Sequence, residues 1–229
     1  MQGIIIRSLL PIGNCMLSEG PDPPGWRRYA SVAYYEDKLY YLGGEDPNSH
    51  RNTNRVDIFE NETWTRGPNF PTAIRSVQPI TCDGILYVIG YTWNGEIFRL
   101  SDNEREWIEV GEIGECRDSF VVASLNGKIS IIGGWKNFEA LKSCLCFDQS
   151  APIGNQTSRI AEMNYRRYDH SLVAADEKFY SIGGLNDHMR ICKYIEEYDP
   201  QIDKWKVVGE IDTNELENFI LACPESSDR

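Results

Sequence analysis

The chain has 229 residues, 41% of them hydrophobic and 25% charged, which is the composition of a folded globular protein and argues against disorder. Its net charge is −12 and no Lys/Arg run exceeds two residues, so a nucleic-acid backbone would repel it. The N-terminal stretch, residues 1–10, is apolar but interrupted by Arg7 and followed by Pro11 and Gly13. It is too short for a membrane span and weak as a secretion signal, and it reads as a strand.

In chain order, candidate terminal strands come first, at Ile4–Ile6 and Cys15–Leu17. Then one phrase recurs four times: two or three apolar residues, Gly, and usually a second Gly. The copies end at Gly43-Gly44, Gly90-Tyr91, Gly133-Gly134 and Gly183-Gly184, with first glycines 47, 43 and 50 residues apart. A period of this size marks a repeat architecture. Before each phrase lies a short strand-like run and a two-residue turn: Glu36-Asp37, Asp83-Gly84, Asn126-Gly127 and Asp176-Glu177. After it come a polar loop, a third strand (Val56–Phe59, Ile97-Phe98, Leu145–Phe147, and a run near Lys193–Tyr198) and a fourth strand. Trp64, Trp107 and Trp205 sit on those fourth strands, 21, 17 and 22 residues after the first glycine. A tryptophan at a fixed place in each unit is expected to pack between neighbouring sheets. The third unit has Gln156-Thr157-Ser158 there, which predicts a looser blade or an irregular outer strand. Asn218–Cys223 reads as the first strand of one more unit.

Four antiparallel strands per unit describe a propeller blade. The strand ending in Gly-Gly, the later Tyr198-Asp199-Pro200, the tryptophans and a leading arginine (Arg28, Arg75, Arg117, Arg167) resemble the kelch repeat over residues 28–210. The fold expected is all-β, a kelch-type β-propeller with four recognisable blades plus partial terminal strands. A single domain, 1–229, would divide into partial strands at 1–27, blades at 28–74, 75–116, 117–166 and 167–212, and a partial first strand at 213–229. Two readings of the ends stay open, a fifth blade shared between the termini and a truncated arc able to self-associate, and the truncated arc is preferred.

In a propeller the strands are scaffold and the loops carry function. The loops before the first strands contain Arg28, Tyr29, Arg75, Ser76, Arg117, Ser119, Arg167 and Tyr168; those after the glycines contain Trp93, Asn94, Trp135 and His188. These residue types dominate binding hot spots, and arginine forks suit carboxylates. For the four leading arginines, packing within the blade and contact with a partner stay equally open. Trp93, Trp135 and His188 do not repeat, and are assigned to binding.

The resemblance implies a non-catalytic module that binds a protein or peptide, of the type serving as substrate receptor in cullin-based ubiquitin ligases. Without the N-terminal dimerisation (BTB/BACK) region of such receptors, it would bind substrate only or compete. Actin binding, known for other kelch proteins, is the alternative. An enzyme such as a sugar epimerase or copper oxidase is a third reading, poorly supported: His50, His170 and His188 occupy different repeat positions and suggest neither a triad nor a metal cluster. No cofactor or metal is expected. Cys144-x-Cys146 is poor zinc geometry, and seven irregularly spaced cysteines read as reduced thiols of a cytoplasmic protein.

Overall fold

A computed structural model describes residues 20–212. The candidate strands at Ile4–Ile6, Cys15–Leu17 and Asn218–Cys223 lie outside the described residues, and with them the question of ring closure.

The described residues are all-β, with no helix, and form four four-stranded antiparallel sheets. The first contains β1 (Ser31–Tyr35), β2 (Lys38–Leu42), β3 (Val56–Glu60) and β4 (Thr63–Arg66). The second contains β5 (Gln78–Cys82), β6 (Ile85–Ile89), β7 (Glu96–Leu100) and β8 (Trp107–Glu112). In the third, β9 (Val121–Leu125) and β10 (Lys128–Ile132) are followed by a separate hairpin, β11 (Trp135–Lys136) and β12 (Glu139–Ala140), before β13 (Cys144–Asp148) and β14 (Thr157–Ile160) close the sheet. The fourth contains β15 (Ser171–Ala175), β16 (Lys178–Ile182), β17 (Tyr194–Asp199) and β18 (Lys204–Glu210). Strands follow chain order within each sheet, as in a kelch propeller blade.

The turns explain the register. Both residues of all four inner turns have positive φ, from 48° at Glu36 and Asp83 to 75° at Gly84. That conformation matches the twist of the flanking strands, and Asn-Gly and Asp-Gly adopt it at least cost. It aligns Tyr35 with Lys38, Leu125 with Lys128 and Ala175 with Lys178.

Two compact units divide the described residues: 20–81, 85–91 and 98–109 form one, and 82–84, 92–97 and 110–212 the other. The first is centred on Tyr40, Leu42, Val56, Phe98 and Trp107, the second on Ile132, Cys144, Met163, Phe179, Tyr198 and Trp205.

Each fourth-strand tryptophan donates its indole N–H to a backbone carbonyl lying 39 to 44 residues earlier: Trp64 to Pro21, Trp107 to Pro68 and Trp205 to Ala161, at 2.8, 3.1 and 2.9 Å. The ring fills the space between successive segments while the N–H satisfies a main-chain acceptor. In the third blade Thr157 stands opposite Phe147, as Trp64 stands opposite Phe59 and Trp205 opposite Tyr198. Its hydroxyl donates to the Glu112 carbonyl at 2.6 Å, the same bond from a smaller donor. The Phe147 ring packs against Gly111, where a Cβ would lie 2.8 Å from it. The outer strand expected to be irregular is therefore a regular four-residue strand.

Candidate partner-binding loops

The second glycine of each pair is where the loop geometry begins. At Gly134, with φ of 106°, a Cβ would lie 2.6 Å from the Asp118 carbonyl oxygen. The chain entering the blade thus crosses directly over the strand end, which only glycine permits. There Asp118 and Trp135 exchange backbone hydrogen bonds, as do Arg28 with Glu45 and Tyr168 with Leu185. The loop before the first strand and the loop after the glycines are bonded side by side in each of these blades.

Sixteen residues before the first glycine stand Arg27, Ile74, Arg117 and Arg167, and all four are buried. This is the repeat arginine. Arg167 shows its work most fully: Nη1 donates to the carbonyls of Ser181, Gly183 and Tyr194, and Nη2 pairs with Glu196 at 2.7 Å. Both side chains are 0% exposed. Glu196 also accepts from the backbone N–H of Asn164 and of Tyr165, so one ion pair joins the entering loop to two strands. In the first blade Arg27 donates to the Tyr41 carbonyl, pairs with Asp57 at 3.0 Å and lies 4.1 Å from the Tyr41 ring centroid. Burial lowers its pKa while Asp57 opposes the shift. Arg117 donates to the carbonyls of Gly133 and Ser143 and pairs with Glu115. Burial disfavours ionised Glu115, but hydrogen bonds from Arg117 and Lys136 outweigh it and hold the carboxyl below its usual range.

The sequence register needs correction at two positions. Arg28 and Arg75, which the sequence pattern groups with Arg117 and Arg167, stand one residue later, beside the buried Arg27 and Ile74. One step along an extended chain reverses the side chain's direction, so both face outward. Arg117 and Arg167, 1% and 0% exposed, are enclosed by their own blades.

In the first unit the structure brings Arg28, Tyr29, Arg75 and Ser76 together. Arg75 pairs with Glu45 at 2.7 Å and lies over the Tyr29 ring, 5.1 Å from its centroid. Ser76 N–H donates to the Tyr29 carbonyl, and His50 Nδ1 approaches Glu45 at 3.4 Å. Tyr29 is 61% exposed.

In the second unit Trp135 and Tyr168 meet edge to face at 4.8 Å, and Asp169 N–H donates to the Ser119 carbonyl. Trp93 and Asn94 occupy a separate turn, closed by Thr92 Oγ1 accepting from Gly95 and Glu96, with Trp93 exposed to solvent. His188 is exposed in a loop shaped by Asn186, whose Oδ1 accepts its backbone N–H. Exposed Phe138 and Met189 stand at the tips of the same loops as Trp135 and His188 and, like them, do not repeat. Glu45, Asp57 and Glu196 are not singled out by the sequence pattern; a carboxylate on a third strand, paired with a buried arginine, is the signal that would have found the last two.

His170 is buried beside Gly133 and Gly184. Burial, with Arg167 adding repulsion, depresses its pKa to about 3. Among the described residues no group of three or more His, Cys, Asp or Glu could hold a metal ion. No helix of the described residues is long and apolar enough to cross a membrane.

A sequence model of the Kelch motif matches residues 166–210, the fourth blade and its entering loop. The chain is similar to Kelch-like protein 41a of Danio rerio, 23% identical over 72% of this chain and 28% of that protein. It is similar to Kelch-like protein 26 of Danio rerio, 25% identical over 79% of this chain and 32% of that one. Beta-scruin of Limulus polyphemus is 26% identical over 50% of this chain and 13% of its own length. The chain spans about a third or less of these relatives.

Proposed function

Because the chain is a kelch-repeat protein, we propose that it is a non-catalytic interaction module that grips a protein or peptide partner with the loops entering its blades and the loops following its glycines. The observation that carries this reading is a division of labour at neighbouring positions. The repeat arginines Arg27, Arg117 and Arg167 are closed inside the blades, while Arg28, Arg75 and Tyr168, each one residue past the repeat position, belong to the loops. The exposed aromatic tips Tyr29, Trp93 and Phe138 lie on the same two classes of loop. Large aromatic and arginine side chains held by a rigid scaffold are what binding hot spots are made of.

The similarity to Kelch-like proteins supports the finer reading of a substrate receptor for a cullin-based ubiquitin ligase, working in the cytoplasm, where the free thiols of Cys82, Cys116, Cys144, Cys146 and Cys192 stay reduced. The test compares proteins retained by the immobilised chain with those retained by Tyr29→Ala/Arg75→Ala and by Trp93→Ala. A partner lost from either variant at unchanged melting temperature supports the reading. A partner retained fully by both contradicts it.

A further inference from the structure

The hairpin between β10 and β13 is built against its own backbone preference. Its two-residue turn is Asn137-Phe138, with φ of 52° and 65°. Such turns favour glycine at the second position, and a bulky residue with positive φ is an outlier. Phe138 gains nothing from the chain in return, since it is 90% exposed. Met189 repeats the pattern at the tip of the corresponding loop of the next blade, with φ of 56° and 78% exposure. Strain held at a site that the fold does not use points to function.

The two tips are held in place. Ala140, on β12, donates its N–H to Asp187 Oδ1 in the Met189 loop. Arg166 reaches from the entering loop to Glu139 and to the Ala140 carbonyl. At the base of the hairpin, Trp135 is fixed edge to face against Tyr168. A rigid apolar projection loses little freedom on binding.

Charge identifies the partner. Of the cations around these tips, Lys136 is paired with Glu115 and Arg166 with Glu139. Asp118, Asp169 and Asp187 have no ion pair among the described residues, against one unpaired cation, Arg190. The net charge of −12 adds a long-range field of the same sign. We propose that Phe138 and Met189, with the Trp135–Tyr168 pair, form a docking site for a basic partner segment that presents a bulky apolar side chain. This inference deepens the loop-binding reading and rests on it.

The test titrates the full chain with three labelled twelve-residue peptides: Lys alternating with Leu and Phe, the same sequence with Glu replacing Lys, and Lys alternating with Ser. The apolar basic peptide is expected to bind, and the other two to bind at least about tenfold more weakly. Phe138→Gly is expected to weaken binding by about tenfold while raising the melting temperature, because glycine relieves the turn; a purely structural role for Phe138 would move both in the same direction. Equal binding of the acidic or the Lys/Ser peptide overturns the inference, as does unchanged affinity in Phe138→Gly. A natural partner that depends on Tyr29 and Arg75 but not on Phe138 or Met189 overturns this inference alone and leaves the loop-binding reading standing.

Discussion

Replacing Arg167 by Met tests whether the repeat arginines are scaffold. Methionine keeps the length of the side chain and its apolar contacts but removes every donor. Three carbonyls, those of Ser181, Gly183 and Tyr194, lose their partner, and Glu196 is left as an unpaired charge at 0% exposure. The two N–H donors of Asn164 and Tyr165 still reach that carboxylate, so its charge is not wholly uncompensated. Breaking a buried pair from one side costs about 3–5 kcal/mol, and the orphaned carbonyls place this case toward the upper end. For a chain of this size that corresponds to a fall of roughly 6–20 °C in melting temperature. The matched control is Arg27→Met in the first blade. There Asp57 keeps a second guanidinium, that of Arg55 at 2.8 Å, so its charge stays paired and the loss should be about half as large. Urea unfolding followed by tryptophan fluorescence measures both. A cost below about 1 kcal/mol for Arg167→Met would refute the argument, and so would equal costs at the two sites.

Acid provides an independent check on His170. Its folded pKa, about 3, lies below the ordinary 6.5, so protonation favours the unfolded chain. Its contribution is fully present above the ordinary value and is lost as pH falls below it, at about 1.4 kcal/mol per pH unit. His170→Phe should flatten the stability profile between pH 6.5 and 4.5, as measured by urea midpoints at each pH. Trp107→Phe should destabilise by about 1–2 kcal/mol, through the indole bond to Pro68 and lost ring area, whereas Thr157→Val, at the matching place, should cost less than about 1 kcal/mol; denaturation curves that reverse this order would contradict the packing described. Burial pushes the Cys144 thiol up to about 12, so it should resist iodoacetamide at pH 8 in the native chain and react in urea.

The scaffold was legible because its signals are local. Asn126-Gly127 and Asp83-Gly84 dictate their turns, and even Glu36-Asp37 and Asp176-Glu177 adopt the same positive-φ geometry at the place the period demands. Glycine pairs mark strand ends because a neighbouring carbonyl sits where a Cβ would be. The arginines were harder to place. Arg27-Arg28 and Arg166-Arg167 are doublets, and only the distance to the glycine, sixteen residues, decides which member turns inward. That distance is set by the reach of the guanidinium to the carbonyls beside the glycine, a tertiary constraint invisible in composition. The second blade has no arginine at this place, with Ile74 there and Tyr91 in place of the second glycine, and the adjacent Arg75 mimics it in the sequence. The third blade's Gln156-Thr157-Ser158 carries no ring to mark the position, and what it retains is a donor to the Glu112 carbonyl. Phe138 is unrepeated like Trp135 in the same loop, and what sets it apart, its place at the exposed tip, follows from the folded hairpin and not from the sequence pattern.

The most direct test of the loop-binding reading is amide hydrogen exchange on the chain, alone and with a partner captured by it. The account predicts new protection at residues 26–30, 92–95, 135–140 and 186–190, with the blade strands unchanged. Protection confined to strands such as β15 or β18, with those loops exchanging as freely as before, would contradict it.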